Sequence, residues 1–317
     1  EFYDGYGWRQ VDNTTRSGRG LFGGGAIGPT FTALVHYITI STLGNAQHFG
    51  DLRNASRFVT SCASGTRAIM GAGTPSANTD YFTFASKGNG VEFTTITQRT
   101  AGTAASSSTR GLFAGGYNPS MTEANMARVH KIEIATVGAE IDFADLFTGR
   151  YSFSSVSNGT RAIQLGGALG SVVNTDLIDS ITISSGGEAT RFGSAARGIQ
   201  QTSSACSSTR GVFAGGGHVP VAPNITFTDK MDYITMATEG NAITFGDATT
   251  VATQRNNGAS SPTRGVFGGG ADPDGNLNIM EYVNIASLGN AVDFGDLTQL
   301  QRALTGCSDS HGGLGGF

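Results

Sequence analysis

The stretch Arg19-Gly20-Leu21-Phe22-Gly23-Gly24-Gly25 opens the pattern that decides the fold. The same signature, an arginine followed by apolar residues and closing glycines, begins again at Arg67, Arg110, Arg161, Arg210 and Arg264. Successive arginines are 48, 43, 51, 49 and 54 residues apart. A period of this length indicates that one structural unit is repeated along the chain.

A second signature follows each copy of the first. In the first unit it reads Tyr37-Ile38-Thr39-Ile40, then Gly44-Asn45-Ala46 and Phe49-Gly50-Asp51. A glycine and a phenylalanine five residues apart recur at Gly44/Phe49, Gly88/Phe93, Gly138/Phe143, Gly187/Phe192, Gly240/Phe245 and Gly289/Phe294. An arginine closes each unit, at Arg57, Arg99, Arg150, Arg197, Arg255 and Arg302. Chance does not produce this register, so the chain contains six units.

Each unit has the composition of four short strands. Strand a holds small residues, strand b the Leu-Phe-Gly-Gly stretch, strand c the Ile-Thr-Ile run and strand d the phenylalanine. Alternating β-branched residues between Gly, Asn and Ser turns indicate strands. Four strands per unit predict propeller blades, whose faces are buried only in a closed ring. We predict an all-β, six-bladed β-propeller with blades near 19–57, 58–99, 100–150, 151–197, 198–255 and 256–302.

The end of the chain supplies the strand that the first unit lacks. Residues 303–310 resemble a seventh strand a, whereas residues 10–16 do so much less. We predict that 303–310 form the innermost strand of blade 1, which leaves no sheet edge open. Residues 1–18 are then an N-terminal tail or linker, and 19–317 form one propeller domain. A seven-bladed ring is the alternative, since 311–317 weakly echo strand b but lack a following strand c.

Composition limits the partners of the chain. The net charge is −4 and the pI about 5.7, so we expect no nucleic-acid binding. No apolar run reaches the roughly 20 residues that cross a bilayer, so we expect no membrane insertion. Three cysteines, Cys62, Cys206 and Cys307, fit neither a disulfide framework nor a zinc site. We predict that they are buried thiols in inner strands.

Residues present in every blade serve the architecture, so binding residues are expected where units differ. The arginines that open strand b are interpreted as structural hydrogen-bonding residues. The b–c and d–a loops share one face of the disc, and the b–c loops vary most, as recognition loops do. The largest departures are 117–126 and 218–229. The candidate binding residues are Tyr117, Asn118, Met121, Glu123, His218 and Asn224, followed by Phe31 and His36.

No catalytic residues are predicted. The five histidines have no metal-ligand spacing, and no Gly-x-Ser-x-Gly elbow lies between a strand and a helix. We therefore predict a protein without enzymatic activity or cofactor. Asp272, Asp274 and Asn276 place oxygen ligands at alternate positions around a Gly turn, as calcium sites do. The position of the terminal EF-hand Glu is Val283, so a plain turn is the prediction and calcium the alternative.

The units resemble kelch repeats, in which strand b ends in Gly-Gly, strand c carries Tyr, strand d carries Trp and an Arg closes the unit. Here these positions hold Gly24-Gly25, Tyr37, Phe49 in place of Trp, and Arg57. The resemblance covers residues 19–310. The stretches Thr-Arg-Gly-Val-Phe-Gly-Gly-Gly, Gly-Asn-Ala-Val-Asp-Phe-Gly-Asp-Leu-Thr and Ser-Asp-Ser-His-Gly-Gly-Leu look like those of kelch-like virion proteins of tailed phages from marine bacteria.

This resemblance implies a structural or adhesion component of a virion, in a tail, a fibre or a surface decoration. The expected partners are other virion proteins, a host-surface protein or glycan, and further copies of the chain, and the expected location is the extracellular particle. Two alternatives stay open. One is a cytoplasmic kelch-type scaffold that binds a protein partner, and the other is a propeller hydrolase or oxidase with an axial site.

Overall fold

The computed structural model of the protein is all-β and describes residues 2–3, 8–9, 18–118, 120, 122, 126–170, 173–221, 224–254 and 257–314. Six antiparallel four-stranded sheets stand in a ring, each with strand a innermost. Each strand a contacts the strands a of the two neighbouring blades, and the sixth contacts the first. The protein is therefore a six-bladed β-propeller, as the repeat predicts.

Every blade has the strand order a-b-c-d from the axis outward. In blades 1 to 6, strand a spans Thr305–Ser308, Thr60–Ala63, Thr103–Ser106, Ser154–Ser157, Ser203–Cys206 and Ala259–Ser260. Strand b spans Arg19–Gly23, Arg67–Gly71, Arg110–Ala114, Arg161–Leu165, Arg210–Ala214 and Arg264–Gly268. Strand c spans Leu34–Thr39, Asn78–Thr83, Arg128–Glu133, Leu177–Thr182, Lys230–Thr235 and Ile279–Asn284. Strand d spans Gln47–Asp51, Val91–Thr95, Ile141–Asp145, Thr190–Ser194, Ile243–Asp247 and Val292–Asp296.

Shorter elements decorate the blades. Hairpins form in four b–c loops, at Ala26–Ile27 with Thr30–Phe31, Ala168–Leu169 with Val173–Asn174, Gly217–Val221 with Asn224–Phe227, and Ala271–Asp272 with Gly275–Asn276. Gly187–Glu188 pairs in parallel with strand d of blade 3. Phe2–Tyr3 pairs with Trp8–Arg9, and most of the predicted N-terminal tail lies outside the described residues.

The last strand of the chain completes the first blade. Thr305–Ser308 runs antiparallel to Arg19–Gly23, with Gly20 opposite Ser308 and Gly23 opposite Thr305. The C-terminal strand therefore closes the ring, as predicted. The residues after it form a 3-10 turn, Gly312–Leu314, against the strands a of blades 3 and 4 rather than a further strand b. The seven-bladed alternative is therefore wrong.

The apolar core lies in the interfaces between neighbouring blades. We call these interfaces seams and number each one by the two blades that it joins. Five strand d phenylalanines are buried there: Phe49, Phe93, Phe192, Phe245 and Phe294. The second residue of strand b is Gly or Ala because strand a of the preceding blade packs directly on it. A Cβ on Gly111 would lie 2.5 Å from the Sγ of Cys62. A larger residue at this position would overpack the seam and push the blades apart.

The glycine pair after strand b turns the chain into the b–c loop. Gly24 and Gly25 have φ angles of +66° and +111°, which residues with a Cβ rarely adopt. The N–H of Gly25 donates to the carbonyl of Ser56 in the d–a loop of its own blade (2.7 Å). A Cβ on Gly25 would lie 2.5 Å from the carbonyl oxygen of Arg302. The pair therefore serves both the backbone conformation and the close approach of two loops.

The c–d turns fasten blades to one another. In seam 5–6, the N–H groups of Gly289 and Ala291 donate to the carbonyls of Phe245 (3.0 Å) and Asp247 (2.8 Å). The N–H of Asp247 donates in return to Oδ1 of Asn290 (3.0 Å). Seams 1–2, 4–5 and 6–1 have the same three bonds. We call this set of bonds the c–d clasp, and it explains the Gly-Asn-Ala signature.

The arginine that opens strand b also joins two blades. Nη1 of Arg264 donates to the carbonyl of Ile40 in the next blade (2.7 Å), and its guanidinium lies 4.5 Å from the ring centroid of Tyr282. Equivalent hydrogen bonds start from Arg19, Arg67, Arg110 and Arg210. The predicted structural role is thus confirmed in five blades. In blade 4, Nη1 of Arg161 has no hydrogen-bond partner among the described residues.

Candidate functional site

The loop face, which consists of the b–c and d–a loops, is tied together at every seam. One residue of each d–a loop pairs with the b–c loop of the next blade, at Arg57/Thr74, Thr100/Tyr117, Tyr151/Ala168, Gln200/Gly217, Thr253/Ala271 and Arg302/Ala26. In seam 2–3, the N–H of Tyr117 donates to Thr100 (2.7 Å) and the N–H of Thr100 donates to Tyr117 (2.9 Å). The variable loops therefore rise from a continuous backbone frame.

A second set of backbone bonds links the d–a loops on this face, in two runs of three loops each. One non-glycine residue in each d–a loop has a φ angle between 52° and 57°: Phe58, Ala101, Ser152, Gln201, Gln254 and Ala303. The N–H of Phe58 donates to the carbonyl of Ala303 (2.8 Å), and the N–H of Ala303 donates to the carbonyl of Gln254 (2.7 Å). A left-handed conformation costs roughly 1–2 kcal/mol per residue with a Cβ. These six side chains have no common chemistry, so the sequence did not reveal these bonds.

The central channel is largely filled by polar contacts. Hydroxyls of strand a donate to the neighbouring strand a, as Ser155 does to the carbonyl of Ala104 (2.6 Å). Asn257 reaches across the channel, and its Nδ2 donates to the same carbonyl (2.7 Å). Towards the other end, Nε2 of His311 donates to the carbonyl of Ala63 (2.9 Å). The cavity between these groups has a volume of about 40 Å³. A cavity of this size holds a few water molecules, whereas ligand pockets measure about 300–1,000 Å³.

The candidate residues of blade 3 lie on the loop face at seams 2–3 and 3–4. Tyr117 is 44% exposed, and its ring centroid lies 5.5 Å from that of Tyr151, a residue that the sequence reasoning missed. The hydroxyl of Tyr151 donates to the carbonyl of Gly170 (2.7 Å). Nδ2 of Asn118 donates to the carbonyl of Gln98 (3.3 Å). The other two candidates of this loop, Met121 and Glu123, lie outside the described residues.

The candidates in blades 1 and 5 have different surroundings. His218 is half-buried, and its Nδ1 donates to the carbonyl of Thr226 across the hairpin (3.1 Å). Asn224 begins the second strand of that hairpin, and its side chain is outside the described part of the structure. Phe31 is half-buried, with the guanidinium of Arg57 at 5.1 Å from its ring centroid. The candidates lie on blades 1, 3 and 5, and those whose side chains the structure describes do not form one pocket.

His36 differs from the other candidates because it is fully buried. Its Nε2 donates to Oε1 of Gln301 (2.8 Å), and its Nδ1 accepts from the hydroxyl of Thr298 (3.1 Å). Burial lowers the pKa of this histidine. His36 therefore joins blade 1 to the d–a loop of blade 6 and offers no surface to a ligand.

This role of His36 recurs in every blade. The third residue of strand c is titratable and buried in all six, at His36, Asp80, His130, Asp179, Asp232 and Glu281. Oδ1 of Asp80 accepts from Nε of Arg53 (2.6 Å), and Oδ2 of Asp179 accepts from Nη1 of Arg150 (3.0 Å). Burial lowers the pKa of His130, with Arg99 acting in the same direction, and burial raises the pKa of Asp232. These six buried titratable residues become visible in the sequence once the c strands of the six blades are aligned.

Seam 3–4 contains a further buried polar residue. Gln164 stands in strand b where the other blades have Phe or Met, and neither atom of its buried amide has a hydrogen-bond partner among the described residues. It lies directly opposite Asp179, whose ion pair with Arg150 is fully buried. In blade 1 the closing arginine, Arg57, itself forms the loop-face bridge. In blade 3 the bridge is formed by Tyr151, the residue after Arg150. The closing arginines of the repeat therefore do not occupy equivalent positions.

The proposed calcium ligands lie in the blade 6 hairpin. Oδ1 of Asp272 accepts from the N–H groups of Asp274 (2.9 Å) and Gly275 (2.8 Å), which forms the turn. Nδ2 of Asn276 donates towards the carbonyl of Ala26 (3.4 Å). Within the described ranges, no group of three His, Cys, Asp or Glu residues is placed to hold a metal ion. Calcium binding stays a sequence-based hypothesis.

The three cysteines are free and buried, as predicted. Cys62 packs in the apolar seam 2–3 with Phe93 and Phe113. Cys206 instead donates its thiol to the carbonyl of Ser157 (3.3 Å), beside the channel. Burial raises the pKa of all three thiols.

No protein-family model matches the chain, and no curated protein sequence matches it. Among the described residues, none of the helical structure is long and apolar enough to traverse a lipid bilayer.

Proposed function

We propose that the protein is a non-enzymatic structural or adhesion module of a virion, a kelch-like propeller that binds a protein or a glycan through its loop face. One observation carries the proposal: residues that recur in every blade hold the ring together, whereas the exposed residues of the loop face differ from blade to blade. The strand register, the loop-face bridges and the channel lining repeat from blade to blade, whereas the exposed side chains of the loop face do not. A single binding site requires residues that one blade has and the others lack.

The exposed residues of the loop face suit recognition. Large apolar side chains are exposed there in four blades, at Ile27, Tyr117, Phe147, Val173 and Ile225. Their backbone is held by the six loop-face bridges, so little ordering is required when a partner binds. Tyrosine at such a position provides apolar area together with a hydroxyl.

The small axial cavity favours a contact on the surface over a reaction in the channel. The resemblance of the repeat wording to phage virion proteins favours a particle component over a cytoplasmic scaffold. The low content of charged residues favours contacts with neutral groups, such as glycan hydroxyls or polypeptide.

Two measurements test the proposal. Mass spectrometry of purified phage particles should detect peptides of this chain. A glycan array and binding to purified host envelope should show a signal that Tyr117→Ala weakens and that Leu288→Ala does not change, since Leu288 is exposed on the opposite face. The proposal would be contradicted if the chain were absent from the particles and if neither substitution changed the binding signal.

A further inference from the structure

One seam lacks the c–d clasp. In seam 2–3, the donors would be the N–H groups of Gly138 and Glu140, and the acceptors the carbonyls of Phe93 and Thr95. All four residues are described, and no backbone bond joins them across the seam. Seam 3–4 keeps a connection, because Gly187–Glu188 pairs with Ala144–Asp145 and the N–H of Ala189 donates to Asp145 (2.7 Å). Seam 2–3 is therefore the one unclasped seam of the described blades.

The sequence explains why this clasp cannot form. A clasp needs glycine after the strand d phenylalanine, since a Cβ on Gly50 would lie 2.0 Å from the carbonyl oxygen of Gly88, and one on Gly246 would lie 2.2 Å from that of Gly289. Blade 2 has Thr94 at this position. The threonine side chain occupies the space in which the next turn would dock.

The turn of blade 3 has also lost its side-chain bond. The residue equivalent to Asn290 is Ala139, so no amide oxygen can accept the N–H of Thr95. Val137 and Ile141 are exposed beside this turn, as is Val91 on blade 2. Neither the backbone groups nor the side chain of this turn tip therefore makes the bonds that the clasped seams have.

Polar contacts cross seam 2–3 in two places, on the loop face and at the base of the blade 3 turn, where Nη1 of Arg67 donates to the carbonyls of Ile134 and Ala135 (both 3.0 Å). Tyr117 and Thr100 form the backbone bridge. Oε1 of Glu140 accepts from the N–H of Thr97 (2.7 Å) and from its hydroxyl. Behind them, Arg99 donates to Nδ1 of His130. The seam is thus held on its loop face and at the base of the blade 3 turn, and only the tip of that turn, at Gly138–Glu140, lacks bonds to blade 2.

We propose that seam 2–3 is a hinge built into the ring. The tip of the blade 3 c–d turn separates from strand d of blade 2, while the loop-face contacts and the hydrogen bonds of Arg67 hold. The ring opens at this seam more often than at the clasped seams, and the opening uncovers the outer edge of Val91–Thr95. An uncovered strand edge is a surface with which other chains can pair.

Hydrogen–deuterium exchange on the full chain tests the hinge. We expect the amides of 91–95 and 136–142 to exchange on the order of ten- to a hundredfold faster than those of 243–247 and 285–291, because three hydrogen bonds of modest net strength are missing. Thr94→Gly combined with Ala139→Asn should restore the clasp and slow exchange in both segments. Gly246→Thr should speed exchange in seam 5–6 alone.

The wild-type comparison decides the matter even if a variant fails to fold. Equal exchange in seams 2–3 and 5–6 would overturn the proposal. Unchanged fast exchange in a folded Thr94→Gly, Ala139→Asn variant would also overturn it, because it would show that the missing clasp is not the cause.

Discussion

Replacing Gln164 with methionine is expected to stabilise the protein. The amide of Gln164 is buried in seam 3–4, and neither of its polar atoms has a partner among the described residues. Leaving a buried polar group unsatisfied costs about 1–3 kcal/mol, so removing it should raise the free energy of unfolding by about that amount. Methionine fits this environment, because Met70 occupies the equivalent place opposite Asp80 in blade 2.

The gain corresponds to a rise in Tm of roughly 2–5 °C for a chain of this length. Urea denaturation and thermal unfolding followed by circular dichroism would measure it. The matched control is the reverse exchange, Met70→Gln, which should lower stability by about 2–4 kcal/mol through lost packing and a new unsatisfied amide. A neutral or destabilising Gln164→Met, with the control behaving as expected, would refute the reasoning and point to a bound water that satisfies the amide.

Three further predictions follow from single contacts. Cys206→Ser should change stability by less than about 0.5 kcal/mol in denaturant titrations, because a hydroxyl can donate to the same carbonyl, whereas Cys62→Ser should lose about 1–3 kcal/mol by burying an unpaired hydroxyl among aromatic rings. Arg150→Met should lose about 3–5 kcal/mol, because it leaves a buried carboxylate without its partner. Burial lowers the pKa of His36 and His130, so the folded state binds fewer protons than the unfolded state; their contribution to stability should be complete above about pH 6.5 and decline as the pH falls below it. His36→Gln and His130→Gln should flatten this decline in pH-dependent unfolding, and a profile that they leave unchanged would contradict the assignment.

Several structural details explain how the sequence could predict the fold. Each blade meets its neighbours through the same contacts, so the residues making those contacts recur at one period. Gly20 and Gly111 recur because strand a of the preceding blade leaves no space for a side chain. Asn290 and its equivalents recur because the c–d clasp needs an amide oxygen. The closing strand could be predicted because 303–310 repeat a strand a that blade 1 otherwise lacks.

The candidate site was predicted less completely. Tyr117 and Asn118 were proposed because their loop departs from the repeat, and the structure places both on the loop face, whereas His36 was also chosen and is buried in seam 6–1. Sequence reasoning treated a histidine in a variable region as a surface residue. The alignment of strand c shows instead that the position is polar in every blade, since each d–a loop offers hydrogen-bonding groups to it. Tyr151 was missed because its partner in space, Tyr117, belongs to the preceding blade.

The sequence by itself determined the number of blades, the four-strand unit, the closing strand and the face on which the blades differ. These properties depend on local patterns and on their repetition, which are readable along one dimension. Only the tertiary structure decided which departures matter. Thr94 and Gln164 are ordinary residues in the sequence, and their effects appear only when two blades are brought face to face. Thr94 blocks the docking of the next blade's turn, and Gln164 places an unpaired amide in a seam. Both effects arise because, in a closely packed structure, the role of a side chain depends on its neighbours in space.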